Sequence, residues 1–462
     1  MLFNSYAFIF AFLPAMVAGY FLLNRLRYAL AGRLWLAAGS LFFYSWWDIR
    51  YLPLILASIG FNYAVGRLVQ GKRSSRTRKM ILLFGICANV GLLVYYKYAD
   101  FFLSNLNAAV GSHIPLLELA LPLGISFFTF TQIAYLVDAY KGQAKEYDFV
   151  NYTLFVTFFP HLIAGPILHH KEMMPQFDRL RGKVFHVSNV SAGIYLFCIG
   201  LFKKAVIADT FAKYANYGFD NAFHLTFLQS WATSLSYTLQ LYFDFSGYTD
   251  MAIGAALLFN IKLPANFNSP YKALSIQDFW RRWHMTLSRF LRDYIYIPLG
   301  GNRKGEFRTL FNLFVTFLIG GLWHGAGWTF LFWGFLHGAA LVIHRLWQKT
   351  GIKLPTLLAW FITFQFVNVT WVFFRAERFS DAVYILKGMA GVRGLTAQLT
   401  GFYPVCLTLI AVFLAVALLA RNSIQLAQSF VPNKRAMAAA AVLFVVSLLY
   451  FNTISEFLYF NF

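Results

Sequence analysis

Long windows without a single Asp, Glu, Lys or Arg recur along this chain. The clearest cover 1–24, 184–202, 221–243, 356–374, 401–420 and 436–455. Each is near the roughly 20 apolar residues that a helix needs to cross a bilayer. Predominantly apolar windows also cover 30–48, 51–70, 80–96 and 119–137, and shorter or broken ones lie at 149–168, 251–261 and within 309–344. The pattern predicts an all-α polytopic membrane protein with about 10–13 membrane segments, some of them re-entrant. No 100-residue stretch is polar enough to form a soluble domain, and no tandem repeat, linker or low-complexity segment stands out. Residues 1–462 therefore read as one polytopic unit.

Composition supports this and adds an orientation. Of 462 residues, 59% are apolar, 20% aromatic and 12% charged, against about 25% charged in soluble domains. That excludes a soluble enzyme, a disordered chain and a disulfide scaffold. On a soluble protein a net charge of +21 would suggest nucleic acid. Here the basic residues read as flanks of membrane segments under the positive-inside rule, and no nucleic-acid partner is expected. No positive stretch precedes the first apolar run, whereas Arg25, Arg27 and Arg33 follow it. That is a first crossing rather than a signal peptide, with the N-terminus outside and the 24–33 loop in the cytoplasm. The third segment is followed by GKRSSRTRK (71–79) on the same side. No Lys or Arg lies between Asp100 and Asp138, which suits an outside loop, and KGQAKE (141–146) returns inside. Cys87, Cys198 and Cys406 sit in apolar runs without a CxxC pair, so neither a zinc site nor a disulfide framework is supported.

The longest interruption of the apolar pattern is 262–308, with nine Lys/Arg and three acids. Aromatic residues interleave with its charges, and 276–297 reads as one amphipathic helix. Phe279, Trp283, Met285 and Phe290 oppose Arg281, Arg282, Arg289 and Arg292. Such a helix lies in a membrane interface or offers arginines to the phosphates of a cytosolic cofactor.

The next 36 residues, 309–344, contain no Asp, Glu, Lys or Arg. In their middle, GGLWHGAGW (320–328) sets four glycines around His324. Glycine clusters break helices. The piece before the break, 309–322, spans only about 21 Å as a helix, short of a hydrocarbon core about 30 Å thick. The break is thus expected at membrane depth, where irregular backbone lines a cavity or is buried in protein. An ionisable residue there is a functional candidate; the plainer reading is a packed histidine beside a helix end. Asp244 and Asp250 in LYFDFSGYTDMAIG (241–254) are expected to bond Ser246, Tyr248 or a neighbouring helix. His337 and His344 share a helical face without a third ligand nearby, so no metal site is expected. His169 and His170 adjoin Lys171 and read as interfacial. Pro160, Gly165 and Pro166 around His161 suggest a re-entrant or broken segment.

Several of these stretches resemble the membrane-bound O-acyltransferase family, and within it the bacterial branch that includes the membrane subunit of alginate O-acetylation. They are LFNSYAFIFAFLP (2–14), AGPI (164–167), YFDFSGYTDMAIG (242–254), NFNSPY (266–271), FWRRWHMTLSRFLRDYIYIPLGGNR (279–303) and GLWHGAGWTFLFWGFLHG (321–338). The RRWH and WHG blocks, about 40 residues apart in this order, are the specific part of the likeness. The resemblance implies a ring of tilted helices around a tunnel. It makes His324 the catalytic histidine and His284 the second histidine associated with activity. Where relatives often carry a basic residue after AGPI, this chain has ILHHK (167–171).

The resemblance further implies transfer of an acyl group, acetyl above all, from a cytosolic thioester to an acceptor outside. Acetyl-CoA is the expected donor, with an acyl-carrier protein as the variant; no bound cofactor or metal is implied. A histidine titrates near neutral pH and can take a hydroxyl proton, so His324 is the expected general base. Polarisation of the carbonyl is open among His284, Trp323 and glycine-region amides. Arg281, Arg282 and Lys304 are candidates for the donor's phosphates, and Asp244 and Asn268 complete the substrate-binding candidates. Expected partners are membrane lipid and an extracytoplasmic SGNH-type acetyltransferase that relays the group to polysaccharide. The expected location is the bacterial inner membrane. Competing readings are D-alanyl transfer from a carrier protein, lipid acylation and a non-enzymatic transporter.

Overall fold

The computed structural model describes residues 1–144, 148–178, 180–395, 403–451 and 457–458. Among these, every regular element is helical. Six helices are long and apolar enough to cross a membrane: α1 (Ala7–Arg25), α3 (Ile49–Gln70), α4 (Ser75–Val110), α6 (Val187–Asp220), α9 (Trp328–Thr350) and α10 (Thr356–Arg375). Six more accompany them: α2 (Ala29–Ser45), α5 (Ile125–Tyr140), α7 (Phe227–Leu257), α8 (Glu306–His324), α11 (Tyr403–Leu419) and α12 (Lys434–Leu449). By length and composition, six spans are thus seen among the described residues, against the ten to thirteen segments expected, some of them re-entrant. The windows 401–420 and 436–455 and the KGQAKE loop each extend partly outside the described residues.

The burial pattern inverts that of a soluble protein. Phe10, Phe42, Phe84, Val412 and Val442 face outward, whereas Ser40, Asn62, Asn89, Gln132, Thr238 and Asn368 are buried. Outward apolar side chains meet lipid tails; inward polar ones bond across helices, since no water is there to satisfy them. Asn62 and Asn89 do so reciprocally at 3.1 and 2.7 Å, joining α3 to α4.

The centre is α7, 31 residues long, or about 46 Å. It starts at Phe227 because Thr226 and Gln229 form a capping box. It also absorbs most of the window 251–261, expected as a separate short segment, because no breaker interrupts 227–257. Its serines, threonines and tyrosines face protein on nearly all sides. Against α6 the backbones nearly touch: a Cβ at Gly200 would stand 2.5 Å from the Gly247 carbonyl oxygen. Small residues allow such close approach in membrane helices.

The basic loops cluster on one face. Arg33 bonds Asp148 at 3.2 Å and Asn151 at 2.7 Å, and Arg78 reaches the Tyr140 carbonyl at 2.8 Å. The segments after α1, after α3 and after α5 therefore lie together, as the charge pattern expected. The AGPI region is broken, as predicted. A short helix, Phe149–Thr157, is followed by one turn, Phe159–Leu162, and by His170–Asp178.

Candidate active site

The amphipathic helix expected over 276–297 is not one helix. It divides into Ile276–Trp280, Met285–Leu291 and a π-helical turn, Arg292–Tyr296. The break has a physical cause. The segment carrying NFNSPY docks alongside and supplies the missing backbone partners: Asn268 N–H donates to the Arg282 carbonyl at 2.9 Å, and Met285 N–H to the Asn266 carbonyl at 3.0 Å. His284 sits at the break with φ +42°, a left-handed conformation that costs a non-glycine residue energy and clusters at functional sites. Phe279, Trp283 and Phe290 of the expected apolar face are buried in protein.

The glycine cluster also behaves differently from expectation. Helix α8 passes straight through Gly320 and Gly321 and ends at His324; only Gly325–Gly327 leaves helical geometry. Gly321 serves packing instead, since its Cβ would stand 2.5 Å from the Phe330 carbonyl oxygen and 2.8 Å from Gly334 Cα of α9. The helix before the break is therefore 19 residues, about 28 Å, rather than the expected 14.

These two breaks bring the histidines to one aromatic cage. His324 is 2% exposed and His284 fully buried. The ring of Trp323 lies 4.9 Å from that of His324 and 6.1 Å from that of His284. Trp333 and Phe374 close on His324 at 5.1 Å each, and Phe245 meets His284 edge-on at 4.7 Å. Phe130 stacks on Trp323. The Oδ1 of Asn266 lies 3.4 Å from His284 Nδ1 and accepts from Thr286 N–H at 3.2 Å and Thr286 Oγ1 at 2.7 Å. A backbone N–H can only donate, so the oxygen of Asn266 is fixed toward this side. A depression of 370 Å³ lined by Asn105, Gly327, Trp328 and Arg378 adjoins the link that follows His324.

The structure thus unites His324, His284 and Trp323 and leaves the other candidates elsewhere. Asp244 pairs with Lys204 at 2.7 Å on the neighbouring helix α6. Its expected partners were Ser246, Tyr248 or a neighbouring helix, and it is the helix that supplies one. Asp250 likewise meets Lys203 at 2.7 Å. Asn268 is exposed and bonds Asn422 at 2.9 Å; Asn266, two residues earlier, is the asparagine beside His284. Arg282 is bound to Asp278 at 2.9 Å. Arg281 and Lys304 are on the surface, with Lys304 at the far end of α8 from His324. His337 is a bonded core residue: it accepts from Trp280 Nε1 at 3.2 Å and contacts Thr370 at 3.1 Å. His169 and His170, expected at the interface, are buried; His169 lies 3.0 Å from the Tyr294 hydroxyl, which donates to Asp138 at 2.9 Å. Two residues near the cage escaped sequence reasoning. Asn266 lay within a quoted motif. Lys97 was signalled only as a lone charge in an apolar run, and its Nζ reaches the Trp323 carbonyl at 2.6 Å.

Residues 47–377 match the family model of the membrane-bound O-acyltransferases, a span that includes both histidines. The chain belongs to this family. It is a membrane acyltransferase. A peptidoglycan O-acetyltransferase of Helicobacter pylori is 52% identical over 426 residues, covering 86% of this chain and 81% of the relative. A probable alginate O-acetylase of Pseudomonas aeruginosa is 42% identical, covering 84% and 75%. A teichoic acid D-alanyltransferase of Bacillus subtilis is 30% identical over a shorter stretch, 56% of this chain and 69% of the relative.

Proposed function

We propose that this acyltransferase moves an acetyl group from cytosolic acetyl-CoA, through a tunnel in its helical ring, to an acceptor hydroxyl on the outer side. The observation that carries the reading is the joint enclosure of His324 and His284 around Trp323. His324 takes the proton of the acceptor hydroxyl. The oxygen attacks the thioester carbonyl, the C–S bond breaks, and the proton passes to the departing thiolate. General-base action contributes about 10²–10⁴-fold; the rest comes from holding the carbonyl beside the hydroxyl and polarising it, for which His284 and Trp323 are the nearest groups. A charged coenzyme cannot cross a bilayer, whereas a two-carbon group passes a narrow opening.

The acceptor pathway is peptidoglycan O-acetylation, supported by the 52% identity to a peptidoglycan O-acetyltransferase. An SGNH-type partner outside receives the group and hands it to the polymer. The protein sits in the inner membrane with its N-terminus outside, which puts the clustered basic loops in the cytoplasm. A second reading, D-alanyl transfer from a carrier protein, is favoured by the partial likeness to a teichoic acid D-alanyltransferase. Purified protein in lipid nanodiscs, offered acetyl-CoA, an acetylated carrier or a D-alanylated carrier, separates the two. Release of CoA, with O-acetyl groups gained by peptidoglycan in cells expressing the protein, is the expected result. Turnover of the D-alanylated carrier alone contradicts the proposal.

A further inference from the structure

An α-helix leaves its last four carbonyls without N–H partners, and in a membrane interior water does not supply them. Helix α8 ends at His324, and the chain departs in extended geometry, Gly325 having φ −164° and ψ 153°. The carbonyls of its last three residues are taken by two side chains of α4. Tyr98 donates its hydroxyl to the Leu322 carbonyl at 2.5 Å. Lys97 Nζ donates to the Trp323 carbonyl at 2.6 Å, to the His324 carbonyl at 3.3 Å and to Ser126 Oγ of α5 at 3.2 Å. Three acceptors match the three N–H donors of an ammonium. Both residues come from one π-helical turn, Val94–Tyr98; such turns recur at functional sites. A cation at a helix C-terminus is also favoured by the helix dipole.

We propose that Lys97 is a positioning residue of the acyl-transfer site: with Tyr98 it holds the last turn of α8, and with it the ring of His324, in place beside His284. This rests on His324 being the base. A lysine within a membrane segment is costly and marks function, and here two of its three donors are spent on the end of the helix that carries the histidine and the third on Ser126 of α5. Lys97 therefore does not contact substrate; it fixes the residue that does. Tyr98 shares the task with a single bond.

The test combines kinetics and amide exchange on the full chain in nanodiscs. Lys97→Met is expected to lower kcat about 100-fold, the scale of a 1 Å misplacement, with KM for acetyl-CoA changed by less than about two-fold. Lys97→Arg, which keeps charge and donors, is expected to recover much of the lost kcat. Tyr98→Phe is expected to lower kcat by about 10-fold. In both Lys97→Met and Tyr98→Phe, peptides spanning 318–330 are expected to exchange about 10-fold faster, while those of α7 stay unchanged. A wild-type kcat in Lys97→Met, a rise in KM alone, or unchanged exchange at 318–330 would overturn the proposal. Should Lys97→Met fail to fold, Tyr98→Phe decides: wild-type kcat and exchange sink it. If His324→Ala remained active, the base reading would fail, and faster exchange in Lys97→Met would then show a cap without a catalytic consequence.

Discussion

Two membrane helices of this acyltransferase carry lysines on π-helical turns, and the two turns are used in opposite ways. In α6 the turn Lys203–Ala208 meets carboxylates: Lys204 lies 2.9 Å from Asp209 and 2.7 Å from Asp244, and Lys203 pairs with Asp250, which also accepts from Ser423 at 2.8 Å. In α4 the turn Val94–Tyr98 meets backbone carbonyls at the end of α8. The first arrangement cancels charge with charge and ties α6 to α7. The second spends a charge on the end of a helix, where the surroundings are aromatic rings and histidines. A buried ion network of the first kind is structural glue. A polar centre of the second kind holds its histidine rings among aromatic side chains, at a cost in stability that the surrounding packing must offset.

Mutations should separate the two regions by what is lost. The largest effect on folding is expected from Lys204→Met, which removes the cation paired with Asp209 and Asp244. Removing one member of a buried pair costs about 3–5 kcal/mol, so the yield of folded protein in detergent and its melting temperature should fall sharply. Next comes Asn266→Ala. It removes the acceptor for Thr286 and the neighbour of His284, with an expected loss of about 1–3 kcal/mol. The activity of the folded fraction should drop further than that of an ion-network variant of equal stability. Gly321→Val forces α8 from α9 and is expected to cost a similar 1–3 kcal/mol, the scale of about one overpacked side chain, read as a lower melting temperature. Arg289→Ala is the mildest. Its pair with Glu172 is part-exposed and should contribute no more than about 1 kcal/mol; a larger shift in melting would mean that this pair belongs with the buried network.

How much of this was legible in the sequence depends on distance along the chain. The apolar helices were, because apolar runs report their solvent locally. So were His284 and His324, which sit in blocks specific enough to identify the family. The break at His284 was not. The apolar spacing over 276–297 fits one helix, and only the docking of 266–268 onto 282 and 285 replaces its backbone bonds. Gly320 and Gly321 misled for a related reason, since a glycine that ends a helix and one that admits a neighbouring helix look alike in one dimension. Asn268 was taken where Asn266 is the residue at the histidine, a matter of which side of an extended segment faces inward. Lys97 is separated from its partners by 226 and 227 positions, and periodicity carries no such information.

The most direct test of the central claim is a radiolabel assay with acetyl-CoA on the wild-type protein and His324→Ala in nanodiscs, with the outer partner supplied. Wild type is expected to transfer acetyl, and His324→Ala to lose about 10²–10⁴-fold or more, at an unchanged melting temperature. Full activity in His324→Ala would contradict that claim.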